Sequence, residues 1–268
     1  MEVHGREAEL AESLARLVRV EEASVQPYAN ILSYPRLDEA VVASRIRQLK
    51  RLGVIELEFT GQMKLGRLSL LGKGVAGMVV AGLTSKERVA LKIRRVDSRR
   101  DRMQHEALML RAANALNVGP RYVGSTADVL AMELVEGLNL PSWLATLKGR
   151  GRRARLRRAI GDLLGQCFRL DEAGLDHGEL SRAHKNIIVR KNGQPCIVDF
   201  ESASKDRRTN NLTALSQYFF LGGGFSRKVS RILGPTDPEK LKSVLRSYKS
   251  ERSPEAFRSA LELLKLRA

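Results

Sequence analysis

Glu179, Asn186 and Asp199 have the types and spacing for acid–base and metal chemistry. In HGELSRAHKNIIV, residues 177–189, Glu179 offers a carboxylate, and Asn186 offers an amide oxygen at the start of the apolar run IIV. Thirteen residues after Asn186, Asp199 closes a second apolar run in CIVDFESAS. A hydroxyl nucleophile needs a carboxylate within hydrogen-bond reach to take its proton. A hard cation such as Mg2+ takes oxygen ligands, few from protein and the rest from phosphates and water. Glu179 is therefore the candidate base, and Asn186 and Asp199 are the candidate Mg2+ ligands. Singly they are also ordinary loop residues, a solvated acid and two turn formers. His177 is expected to brace the loop by hydrogen bonding without transferring a proton. Lys185 stands beside His184 in the same loop.

A second group lies upstream. Gly72, Gly74 and Gly77 spell GxGxxG, with Val79 following; alone, such glycines equally serve as turn residues of a hairpin. Ala90-Leu91-Lys92 is expected to end the following strand, with Lys92 fifteen residues after Gly77, which places an ammonium beneath the glycines within reach of phosphate oxygens. Fourteen residues further on, Glu106 lies beside the apolar face formed by Met103, Ala107 and Leu110. A carboxylate there can hold the lysine by an ion pair, although a lone Glu on an amphipathic helix is usually solvated.

The elements that must position these residues follow from hydrophobic period and turn residues. Helical spacing covers residues 7–17 and 38–52, with Asp38 as N-cap and Gly53 as the stop. GVIELEFTG alternates as a strand and turns at Thr60-Gly61 into a second strand, KLGRLSLLG. Helices followed by a two-stranded wing suggest a winged helix with residues 44–52 in the recognition position; a helical cap on the next domain is the alternative. GKGVAGMVVAG and ERVALKI form a strand pair, followed by a helix over about 98–116 and the strands RYVGS and VLAMELV, the last ending at Gly137. Beyond Gly137 the chain reads as helices, apart from strands at IIV and CIV and a hairpin around Lys191-Asn192-Gly193. Domains are expected at 1–62, 63–136 and 137–268: an extension, a β-rich half and a helical half, with a cleft where the halves meet.

Composition bounds the class. The 268 residues, 43% hydrophobic, suffice for one large core or two adjoining ones. The opening MEVHGREAEL is acidic and has no apolar run, and no apolar stretch is long enough to span a bilayer, so a cytoplasmic chain with no membrane partner is expected. Cys167 and Cys196 stand far apart, without the spacing of a zinc site or a disulfide framework, and are expected to be buried. The 47 Lys plus Arg against 30 Asp plus Glu leave a net charge of +17, which suits either a polyanionic partner or a charge-rich thermophile-like surface. In KGRGRRARLRR, residues 148–158, seven of eleven side chains are basic. RNA phosphates are the expected partner of this run, aided by Arg45, Arg47, Lys50 and Arg51, and its lack of interleaved aromatics argues against base stacking.

The set GKGVAGMV, VALK, HEALML, AMELVEG, HGEL, KNIIV and VDFE, over roughly residues 65–205, occurs in the order of the protein-kinase superfamily. It most resembles the small atypical archaeal kinases, the Rio-like and related predicted serine/threonine kinases. Asp199 is followed by Phe200-Glu201 where most kinases have Phe-Gly, and no APE motif follows. The resemblance implies an α+β, bilobal kinase-like fold with a small β-rich N-lobe, a helical C-lobe without a long activation loop, and the N-terminal helical or winged-helix-like extension. It implies Lys92 on the α- and β-phosphates of ATP, Glu106 as its helix partner, Gly72, Gly74 and Gly77 over the phosphates, and Asn186 and Asp199 on Mg2+. Val79 and Ala90 would cover the adenine from above and Ile188 from below. Met132 would stand at the back of the pocket and the backbone of Glu133 and Val135 at its edge. In the family an Asp normally stands at Glu179 with the Asn five residues later, whereas here the gap is seven and Ser181 holds the five-before position. Glu179 is taken as the residue that replaces that Asp, and Asp176, which precedes His177, is the poorer candidate for the base. The expected function is an ATP- and Mg2+-dependent serine/threonine protein kinase or switch-like ATPase. A nucleotide-binding pseudokinase scaffold on RNA or ribonucleoprotein and a small-molecule kinase are the alternatives.

Overall fold

A computed structural model describes residues 17–98 and 103–266. The chain is a mixed α+β protein with a β-rich N-terminal region and a helical C-terminal region. Contacts divide the described residues into two compact units, 17–98 and 103–108 with 121–134, and 109–120 with 135–266. Among the described residues no helix is long and apolar enough to cross a membrane.

The first unit is built on one antiparallel sheet. Its strands are β1 (Leu17–Arg19), β2 (Val54–Glu58), β5 (Gly72–Lys73), β6 (Gly77–Thr84), β7 (Arg88–Arg94), β8 (Tyr122–Ser125) and β9 (Val129–Glu133), in the order β1-β2-β6-β7-β9-β8 with β5 paired to β6. Strands β3 (Met63–Leu65) and β4 (Leu68–Leu70) form a separate hairpin, so KLGRLSLLG is two strands turning at Gly66 rather than one. β2 pairs with β1 and β6, which brings residues 17–58 into the sheet that carries the glycine motif. Helices α1 (Ala29–Leu32) and α2 (Glu39–Arg51) pack on one face of it.

Asp38 caps α2, its carboxylate accepting from the Val41 amide at 3.0 Å, and Gly53 follows in the left-handed region at φ 73°. Of the α2 residues assigned to nucleic acid, Arg47, Lys50 and Arg51 are exposed, whereas Arg45 is turned into the unit together with Gln48. Arg45 is 1% exposed, donating to the Leu32 carbonyl and lying 3.9 Å from Asp128. Gln48 donates to Asp128 at 2.8 Å and accepts from Thr126 at 2.7 Å. Arg45 therefore cannot assist RNA binding, because a buried guanidinium already engaged has no access to a phosphate. The helix expected over 7–17 falls, apart from Leu17, outside the described residues. That expected over 98–116 is seen as α3 (Gln104–Asn114).

In the second unit β10 (Gly137–Asn139), β11 (Ile187–Arg190) and β12 (Pro195–Ile197) form a small antiparallel sheet. β9 ends at Glu133, so Gly137 opens a new strand instead of closing the old one. Helices α4 (Leu140–Thr146), α5 (Arg152–Glu172), α6 (Ala183–Asn186), α7 (Asn211–Phe220), α8 (Gly223–Leu233), α9 (Pro238–Glu251) and α10 (Pro254–Leu263) make up the rest. Helix α5 buries Leu156, Ala159, Ile160, Leu163, Leu164, Cys167 and Leu170, one stripe at helical period. At its end Asp171 is buried and accepts from the Asn211 amide, the Asn211 side chain, the Leu212 amide and the Tyr248 hydroxyl at 2.8–3.1 Å. One carboxylate thus ties α5 to α7 and α9. Both cysteines are buried and neither is in a disulfide.

Candidate functional site

The pleat of the first unit's sheet sorts its side chains onto two faces, because cross-strand partners share a face. Met78, Val80, Val89, Leu91, Ile93, Val129 and Ala131 face the core shared with residues 18–59. Val79 opposite Lys92, and Ala90 opposite Met132, lie on the other face. Four residues picked from the sequence for one ligand therefore do share a surface. Lys92 is two residues short of the strand end, since β7 runs to Arg94.

Lys92 Nζ lies 2.9 Å from each oxygen of the Glu106 carboxylate, and both side chains are more than nine-tenths buried. The stem of Lys92 runs beneath the glycine motif. A Cβ at Gly77 would stand 3.0 Å from Lys92 Cγ and 3.1 Å from the Ile93 carbonyl, so the missing side chain at 77 lets the turn lie close over the lysine. The Gly74 amide donates to the Gly77 carbonyl at 2.8 Å, and Val75 at the tip is 84% exposed.

The turn is held from outside by a residue that sequence reasoning missed. Tyr34 accepts from Lys73 Nζ at 2.7 Å through its hydroxyl, and the Lys73 ammonium and Arg95 guanidinium lie 4.5 and 5.0 Å from its ring centroid. Arg95 donates to the Gly74 carbonyl from its side chain and to the Ala76 carbonyl from its amide. Tyr34 is 38 residues from Gly72, and nothing local in YPRLD marks it.

In the second unit His177 is fully buried. Its amide donates to Asn211 Oδ1 at 2.8 Å, its Nε2 lies 3.1 Å from the Val198 carbonyl, and its ring meets Phe200 edge-on at 5.0 Å. Burial holds its pKa below the ordinary 6.5, against the Val198 carbonyl and nearby acids that would raise it. The ring is thus held through Nε2 and by the edge contact to Phe200, while Nδ1 is buried without a hydrogen-bond partner among the described residues. Gly178 follows at φ 85°, where a Cβ would lie 2.8 Å from the Ser202 carbonyl.

Glu179 is half-buried and its Oε1 accepts from the Ser202 hydroxyl at 2.6 Å. Asn186 closes α6 rather than opening β11, is 2% exposed, and donates from Nδ2 to the Glu179 carbonyl at 3.4 Å. That bond connects the two ends of the seven-residue interval and turns the amide's nitrogen toward the loop. Asp199 has φ 69°, unusual for a residue with a side chain, and starts the turn Phe200–Ser202. A carboxylate oxygen of Glu201 lies within 4.8 Å of one from Asp199, an acid that sequence reasoning left out of the ligand set. Carboxylate and amide oxygens are the hard donors Mg2+ takes, so the chemistry of this set fits that ion. Asp176 is otherwise engaged: its carboxylate accepts from the Asn210 amide at 3.2 Å and pairs with Arg207 at 3.0 Å. Ile188 is half-buried on β11 opposite Cys196. The Glu133 amide, expected at the edge of the pocket, donates to the Arg121 carbonyl at 2.8 Å. Val135 is half-buried in the segment joining β9 to β10.

No known family's sequence profile matches the chain. A stretch of 98 residues is 26% identical to the uncharacterized protein MJ1211 of Methanocaldococcus jannaschii, covering 37% of this chain and 79% of that protein.

Proposed function

We propose that the chain is an ATP- and Mg2+-dependent phosphotransferase of the protein-kinase type, an atypical serine/threonine kinase acting on a protein hydroxyl. The observation that carries this reading is the buried Lys92–Glu106 pair under the glycine turn. Burying two charges costs more than burying apolar groups of the same size, so such a pair is a poor device for stability alone. A lysine held by both oxygens of one carboxylate, on the sheet face of Val79, Ala90 and Met132, is suited to meeting phosphate oxygens at a fixed place.

In this reading Lys92 orients the phosphates and Glu106 orients Lys92. The glycine turn covers the phosphate chain. Asn186 Oδ1 and the Asp199 carboxylate would hold Mg2+, which supplies charge neutralisation on the phosphate oxygens when bound. Glu179 takes the acceptor's proton, and the Ser202 hydroxyl holds its carboxylate in one orientation until the acceptor arrives. ATP with Mg2+ is expected to raise the melting temperature, and labelled ATP to transfer its γ-phosphoryl to the chain itself or to a general protein acceptor. Equal stabilisation by ATP in EDTA, or in Asp199→Ala, would sink the metal assignment.

A second reading, a nucleotide-binding scaffold on ribonucleoprotein without turnover, is favoured by the same Glu179–Ser202 bond if that hydroxyl never yields to an acceptor. ATP binding without transfer to protein or to free small-molecule hydroxyls would select it. Transfer to a small molecule alone would select the small-molecule kinase instead.

A further inference from the structure

The basic run 148–158 does not stand alone in the fold. No Asp or Glu occurs from 137 to 161 or from 207 to 236, and these stretches carry seven and five Lys or Arg. The second unit places them side by side. Helix α8 packs on α5, and Arg153 near the start of α5 donates to the Leu233 carbonyl at the end of α8 at 2.6 Å. Arg150, Arg152, Arg227, Lys228 and Arg231 are all exposed, and among the described residues none of them is in an ion pair.

Aromatic rings join this surface at its other end. Phe225, two residues before Arg227, stacks on Tyr218 of α7 with centroids 4.8 Å apart, and Tyr218 stacks on His184 at 6.2 Å and 19°. The Tyr218 hydroxyl lies against the backbone of His184. His184 is exposed, with the exposed cations Arg182 and Lys185 near it in sequence. The interleaved aromatics absent from 148–158 are therefore supplied by other elements.

We infer that α5, α8 and the His184–Tyr218–Phe225 stack form a binding surface for single-stranded RNA. The cations of the two helices meet successive phosphates, and the exposed His184 ring takes an unpaired base. Charge complementarity selects a polyanion, since two packed acid-free stretches leave a field of one sign. The ring stack selects unpaired bases over a duplex or a lipid headgroup, because every base has a face to stack while a paired base is already covered. Unstacked bases of this kind are presented chiefly by RNA loops and ends. The inference does not depend on phosphotransfer and is tested without nucleotide.

The experiment is anisotropy titration of the full chain with a short labelled single-stranded RNA, its duplex, and phosphatidylserine vesicles, between about 50 and 200 mM salt. Single-stranded RNA is expected to bind best, with a logarithmic salt slope of about −0.7 per phosphate met. Changing Arg150, Arg152, Arg227, Lys228 and Arg231 to Ser should flatten that slope by about 0.7 for each phosphate no longer met by a cation. His184→Ala should weaken binding about tenfold and leave the slope unchanged. An unchanged slope in the five-site variant would overturn the surface, as would tighter binding to the vesicles. Duplex bound as well as single strand, with His184→Ala silent, would overturn the stacking part. All substituted residues are exposed, and circular dichroism of the variants checks that the fold is retained.

Discussion

At the scale of single residues, the buried pair changes what an alanine at Lys92 means. In the proposed role Lys92→Ala removes the group that orients the phosphates. Yet Lys92 is the ammonium that both Glu106 oxygens meet in a nearly dry site. Removing one partner of such a pair typically costs about 3–5 kcal/mol, so Lys92→Ala should lower the urea midpoint as well as abolish turnover. Lys92→Met with Glu106→Leu should recover most of the stability and none of the activity. A Lys92→Ala variant as stable as the parent would show that the pair is not buried in solution. Glu179→Gln keeps the size and loses the charge. It should slow phosphotransfer about 100- to 10,000-fold while ATP binding persists. Asp176→Asn, where the acid is already held by Asn210 and Arg207, should leave the rate near that of the parent. Reversed outcomes would make Asp176 the base.

At the scale of elements, Asp171 holds the helices of the second unit and, through Asn211, the His177 loop. Its carboxylate takes four donors, and Asn211 passes the restraint on by accepting from the His177 amide. Tyr248→Phe removes one donor and should cost about 1 kcal/mol, whereas Asp171→Asn substitutes an NH2 for an acceptor among buried donors and should cost about 2–4 kcal/mol. Chemical denaturation measures both, and equal costs would mean that the network is not shared. Gly178 sits in the same loop at φ 85° with backbone in the space of a Cβ. Gly178→Ala should therefore destabilise the protein by about 1–3 kcal/mol through strain and displace Glu179. The expected readout is a fall in phosphotransfer larger than the fall in ATP affinity.

For the whole molecule, acid should act through buried groups that are held in one protonation state. His177 has its pKa depressed below 6.5 by burial. As pH falls through 6.5 the unfolded chain binds the proton first, so the stability tied to the neutral ring is complete above that value and is lost toward the folded pKa. The melting temperature should fall between about pH 7 and pH 5, and His177→Gln should flatten that part of the curve. Asp128 gives a separate, lower window. Burial raises its pKa, but hydrogen bonds from Gln48 and Arg94 outweigh that and leave it below the usual 3.8, so its contribution disappears only at pH values beneath that. An identical pH profile in His177→Gln would show that the ring does not titrate with unfolding.

Local chemistry and period were enough to find much of this. The Asp38 cap, the Gly53 stop, the apolar stripe of α5 and the hairpin at Gly193 can all be read from neighbours in the chain, because caps, turns and periodicity are short-range. The strand limits at Lys92 and Gly137 and the helix end at Asn186 differ by a few residues, since hydrogen-bond pairing with other strands, not the run of apolar residues, sets where a strand stops. Tertiary structure alone decided that Arg45 and Gln48 face Asp128 instead of solvent, that Tyr34 steadies a glycine turn 38 residues away, that Ser202 holds Glu179, and that α8 and an aromatic stack complete the basic face of α5. Each of these joins residues far apart in sequence. Their meeting depends on which strands pair and which helix faces pack, and the local pattern around Tyr34, Ser202 or Phe225 carries no record of the partner.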